Sequence, residues 1–121
     1  MPRSIIAAMK GIVSVDDLAA QVPDGALVAV PADQSFVSMS IVRALILRGV
    51  KNLYLLCVPI GGLAVDMLVG AGCVETVECA AVSLGEFGLA PRFGAAVEEG
   101  RIEIRDSTCP AIHAALQASE K

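Results

Sequence analysis

The stretch LYLLCVPIGGLAVDMLVGAGCVETVECAAV, residues 53–82, decides the fold. Leu53 to Val58 is a continuous apolar run of strand length. Pro59 and the Gly61-Gly62 pair interrupt it, and Leu63 to Val69 then reads as a short helix closed by Gly70 and Gly72. Val74 to Val82 reads as the next strand. Strand, helical crossover and a second apolar strand in direct succession make a parallel unit, because parallel neighbours need a crossover between them.

The same alternation extends in both directions. Upstream, Ser14 followed by Asp17 is a capping-box start for a short helix that ends before Pro23, and PDG at 23–25 is a turn. Ala26 to Val30 is the first strand. Phe36 to Arg48 is apolar almost all round, with Ser38, Arg43 and Arg48 as the exceptions, so it reads as a largely buried helix capped by Gly49. Downstream, APRFGAAVEEG places Pro91 at a helix start and Gly100 at its end, RIEIRD (101–106) is a strand, and a last helix follows Pro110. Four strands joined by helices predict an open, mainly parallel α/β sheet with helices on both faces, in three layers and buried on both sides. Residues 1–121 form one domain without linker, repeat or low-complexity segment. So few strands in so apolar a chain predict an incomplete sheet with an unpaired edge at its last strand.

Composition excludes several classes of function. A net charge of -4 with only nine Lys and Arg gives no basic face for nucleic acid. The richest apolar stretch, Leu53 to Leu68, is broken by Pro59, Gly61, Gly62 and Asp66, so no run approaches the roughly 18 residues of a membrane span. Ile5 to Met9, between Arg3 and Lys10, is shorter than the roughly 7–15 residue apolar core of a signal peptide. A cytoplasmic location is expected. Cys57, Cys73, Cys79 and Cys109 have no C-x-x-C spacing and read as reduced, packed thiols, with no metal site. Hydrophobic content of 55% is high for a small domain, and predicts an apolar surface that meets another protein in an oligomer.

In a parallel sheet the chemistry sits at the carboxyl ends of the strands. Four segments qualify: 31–35, 59–62, 83–88 and 106–110. Gly61 and Gly62 open a helix where backbone amides can face a phosphate or thioester oxygen, although a plain tight turn uses the same residues. Glu86, between glycines in SLGEFG with Ser83, reads either as a loop carboxylate near a ligand or as a solvated acid. Cys109, before Pro110, is placed at a helix N-cap where the dipole favours thiolate. His113 lies on the polar side of the last helix with Gln117 and Glu120, and reads as a surface residue. No nucleotide-binding glycine motif and no Ser/His/Asp set is present.

PDGALVAV, RALILRGVKNLYLL and residues 61–106, with their ordered Gly61-Gly62, Asp66, Gly70, Gly72, Ser83, FGLAPRF and VEEGRIEI, resemble the alpha subunit of family I coenzyme A transferases. The resemblance runs from about residue 12 to about residue 118 and covers an N-terminal portion of that subunit. It implies a heteromeric enzyme that moves CoA between acyl-CoA and a small carboxylic acid through a glutamyl-CoA thioester. The glutamate is carried by a separate beta-type chain, so no catalytic residue, and no bound cofactor, is expected here. Coenzyme A is a substrate. The family's Gly-Gly-Phe-type loop after the first strand is replaced by Val30-Pro31-Ala32, and proline has no N–H to donate. Gln34 and Ser35 then become candidate donors, with Ser35 as a helix N-cap the equal alternative. Hydrolase relatives tend to carry an acid and a glycine where Cys109-Pro110 stands. The substrate-binding set is therefore Gln34, Ser35, Gly61, Gly62, Ser83, Glu86 and Cys109. Two classes remain open: a transferase or acyl-CoA hydrolase component, and a non-catalytic module that binds acyl-CoA or a partner.

Overall fold

The computed structural model of the chain describes residues 11–32 and 37–120. The first helix, α1 (Val15–Ala20), begins at Ser14, whose Oγ accepts the Asp17 N–H at 3.1 Å and donates to the Asp17 carboxylate at 2.7 Å. Then follow β1 (Leu27–Pro31), α2 (Met39–Arg48), β2 (Leu53–Val58), β3 (Ile60–Gly61), α3 (Leu63–Gly70), β4 (Val74–Cys79) and β5 (Ala81–Val82). A short 3-10 turn (Gly85–Phe87), α4 (Pro91–Glu98), β6 (Glu103–Asp106) and α5 (Cys109–Ser119) complete the chain. Gly49 ends α2 in the left-handed conformation, φ 75°, which a side chain would resist.

The main sheet runs β1-β2-β4-β6, all parallel, so each crossover steps in the same direction. Right-handed crossovers of that kind bring α2, α3 and α4 onto one face. There α1 packs on α2, α2 on α3 and α3 on α4. The period of two in β2 divides its residues: Leu53, Leu55 and Cys57 are fully buried beneath this helix layer, each leucine contributing roughly 1.5–3 kcal/mol. Tyr54, Leu56 and Val58 face the other side and are half-buried. On that side α5 packs back against β2 through the buried Ile112, which lies outside the main core cluster. The fold is thus the expected mainly parallel α/β sheet with helices on both faces, but the second face has one helix and Leu27 there is 64% exposed. On its polar part the Tyr54 hydroxyl donates to Glu78, and Arg105 lies 5.5 Å from the Tyr54 ring centroid.

Three expectations change. The run Val74 to Val82 is two strands, because after Cys79 the chain leaves the main sheet and Ala81-Val82 pairs with Ile60-Gly61 in a separate parallel ladder. Within β4, Thr76 follows Val74 in the register opposite β2, and the bulge leaves Glu75 exposed. The helix read as starting at Phe36 starts at Met39 with Ser38 in the N-cap position, so Ser35 does not cap it. Gln34 and Ser35 lie outside the described residues. At the last helix Thr108 is the N-cap, its Oγ1 accepting the Ala111 N–H at 3.3 Å, and Cys109 is the first helical residue. Among the described residues no helix is long and apolar enough to cross a membrane.

One buried charge joins the helix layer. Ala90, the N-cap of α4, has no acceptor side chain, and Pro91 has no N–H. The next two amides, Arg92 and Phe93, donate instead to Asp66 Oδ1 on α3, at 2.8 and 2.9 Å. Asp66 is 0% exposed, and its Oδ2 takes the Arg92 guanidinium at 3.2 Å. Arg92 itself is 61% exposed, so screening leaves the ion pair a small share. Asp66→Ala removes the acceptor of two partly buried N–H groups and is expected to cost about 1–3 kcal/mol in denaturant unfolding. Asp66→Asn retains the Oδ1 acceptor and is expected to cost roughly half as much or less; equal losses for the two variants would place the stabilisation in the ion pair.

Candidate functional site

Three of the four carboxyl-end segments converge on one cavity of about 870 Å³. Ala32 follows β1, Ile60 to Leu63 follow β2, and Ser83 to Phe87 follow β5; together they line it. The crevice exists because β3 and β5 turn away from the main sheet as a pair. Pro59 O accepts the Ala80 N–H and Gly61 O accepts the Ser83 N–H, each at 3.0 Å, so the two segments leave together.

Gly61, Gly62, Ser83 and Glu86 are therefore brought to one place, as the sequence reading grouped them. Gly62 is buried and is the N-cap of α3, so the positive end of that helix opens on the cavity. Gly61 has a packing reason to be glycine. A Cβ there would stand 2.7 Å from Val65 Cγ2 and 2.8 Å from Cys57 Sγ, both core atoms. Ser83 Oγ accepts the Gly85 N–H at 3.0 Å, and Leu84 N–H donates to Gly88 O at 2.9 Å, which closes 84–88 into a compact loop. Its 3-10 turn holds Glu86 and Phe87 at the rim of the cavity; both line it and are exposed, Phe87 at 82%.

Cys109 is half-buried at the start of α5 and is not among the cavity residues, so the fourth segment stands apart. His113 is exposed, as expected. All four cysteines are free thiols. Beneath Gly61 the buried Cys57 thiol interacts with that of Cys79, and this interaction, with burial, pushes Cys57 well above the usual thiol range. This pair is packed in the core, behind the cavity wall. Among the described residues no cluster of His, Cys, Asp and Glu is suited to a metal ion.

Sequence reading missed the apolar part of the lining: Ile60, Leu63, Leu84 and Phe87. The one signal for it was an aromatic residue inside the glycine-flanked SLGEFG, a costly place to expose a ring unless something covers it.

The family model that matches the chain, described as coenzyme A transferase, spans residues 12–114. Among solved structures, the decarboxylase AibA/AibB matches with a TM-score of 0.62 at 25% identity, over 78% of this chain and 37% of that one. Glutaconate coenzyme A-transferase from Acidaminococcus fermentans matches with a TM-score of 0.72 at 18% identity, over 87% of this chain and 34% of that one, and shows the shared fold. The chain spans little more than a third of the length of either. No curated protein matches it significantly. Gly61→Ala is expected to lower stability by about 1–3 kcal/mol through overpacking, and Cys57→Ala in the same chain to restore part of it in thermal unfolding; additive losses would contradict the contact.

Proposed function

From the premise that the chain belongs to the coenzyme A transferase family, we propose that it is the alpha-type component of a CoA-transferase. It supplies the walls of an acyl-CoA site, and a separate beta-type chain brings the glutamate that carries CoA as a thioester. The observation that carries this reading is the cavity itself: three strand ends and the amino end of α3 surround it, yet its described side chains offer no activated nucleophile. Ser83 is engaged in its own turn, with no His or Lys among the described lining residues to act as a base. Glu86 stands on an exposed turn, outside the desolvated setting a glutamyl nucleophile needs. The α3 amino end favours negative charge, so its place in the mechanism is beside the thioester oxygen as the acyl group is attacked. Gln34 and Ser35 are proposed as further donors, and Cys109 as a more remote contact.

Apolar side chains left exposed, among them Leu27, Leu47, Phe87 and Leu89, support association with a partner in the cytoplasm, either the beta-type chain or a further copy. A second reading has its own support. Pro31 stands where the family has glycine amides, which favours a non-catalytic module that keeps the cavity for binding; hydrolysis of acyl-CoA is a third outcome of the same assay.

The chain purified alone is expected to show no CoA transfer between any acyl-CoA and carboxylate. The assembly recovered through it from its own cells is expected to transfer CoA and to form a borohydride-trappable glutamyl thioester on the partner. A thioester trapped on this chain, at Glu86 or elsewhere, contradicts the assignment. An assembly that binds acyl-CoA without turnover favours the module.

A further inference from the structure

The lining of the cavity is uneven in its chemistry. Ile60, Leu63, Leu84 and Phe87 give it apolar walls, and the described lining residues hold one ionisable side chain, Glu86, and no Lys, Arg or His. An acyl group that carries a second carboxylate is ordinarily held by a cation, best by the paired N–H groups of arginine. Here it would leave water for apolar walls and meet a like charge. The one arginine placed near the helix layer's buried carboxylate, Arg92, is bound to Asp66. The amino end of α3 does carry partial positive charge, but it opens beside Gly62, where a single oxygen suffices to occupy it.

Apolar surface on the rim also faces water. Phe87 is 82% exposed, and Ile60 and Leu63 keep a large part of their surface in water. A hydrocarbon chain laid between them would remove that surface from water at roughly 0.8 kcal/mol for each buried CH₂.

We infer that this cavity takes an uncharged acyl group, straight or branched, and selects against acyl groups with a second carboxylate, with Glu86 as the excluding charge and Phe87 as the apolar cover. The inference rests on the acyl-CoA reading proposed above and adds the substrate class to it. Glu86 acts here on specificity and has no part in bond making.

The test is binding of butyryl-CoA and succinyl-CoA, by titration calorimetry, to the assembly recovered through this chain from its own cells. Butyryl-CoA is expected to bind at least about tenfold more tightly. Glu86→Gln is expected to narrow that ratio at least threefold by strengthening succinyl-CoA, with an unchanged melting temperature, since Glu86 is exposed. Phe87→Ala is expected to weaken butyryl-CoA about fivefold or more and to leave succinyl-CoA nearly as it was. Equal or tighter binding of succinyl-CoA overturns the inference while the acyl-CoA reading stands. So does a ratio that Glu86→Gln does not move. Binding of neither ligand overturns the acyl-CoA reading and the inference with it.

Discussion

The rest of the structure depends on a carboxylate buried where no solvent reaches it. Asp66 occupies the fourth position of α3, a helix otherwise made of apolar residues and glycine, and acts as the cap that α4 lacks. Pro91 at the first position of α4 has no amide to satisfy, and the two amides that follow both reach Asp66 Oδ1. A buried charge is costly unless it is met by donors, so α3 and α4 are held in the one arrangement that supplies them. Gly70 belongs to the same constraint. A Cβ there would run into the Arg92 side chain, so glycine makes room for the chain to lie beside α3 where its amides reach Asp66.

Fixing α3 against α4 closes the chain between residues 66 and 92, and that closed segment holds β4, β5 and the loop from Ser83 to Gly88. The loop is glycine-rich and exposed, yet both its ends are tied: β5 pairs with β3, and Ser83 forms a bridge with Leu89. Packing on one face of the sheet thereby sets the far wall of a cavity at its edge. The monotonic strand order has a second consequence. With three crossover helices on one face, the other is left to α5, and the apolar side chains of β1 there remain in water.

Much of this was legible in the residues. β2 and α3 announced themselves by composition, an apolar run of strand length followed by glycines and a short helix, and the parallel topology followed from their alternation. That topology alone gathers carboxyl ends at one edge of the sheet, which is why the sequence already groups Gly61, Gly62, Ser83 and Glu86. The division of β4 from β5 was hidden because Cys79 to Val82 is apolar throughout, and hydrophobicity does not report which neighbour a strand pairs with. Cys109 was misplaced by one position, since Thr108 beside it is the better N-cap. The role of Asp66 was hidden for a different reason: the acid and the helix it caps lie far apart in sequence, and only tertiary structure shows that α4 starts without a cap of its own. Asp66 belonged to the ordered residues of the family resemblance, so its position was visible while its physical task was not.

The central claim is that the cavity between residues 60–63 and 83–87 receives the acyl end of a CoA ester in an assembly with a second chain. Photolabelling tests it most directly, using an acyl-CoA that carries a diazirine at the end of its acyl chain and peptide mapping of the assembly isolated through this chain. The account predicts adducts on residues 60–63 and 83–89, suppressed by excess butyryl-CoA. Adducts confined to the partner, or to the opposite sheet face around Leu27 and α5, would contradict it.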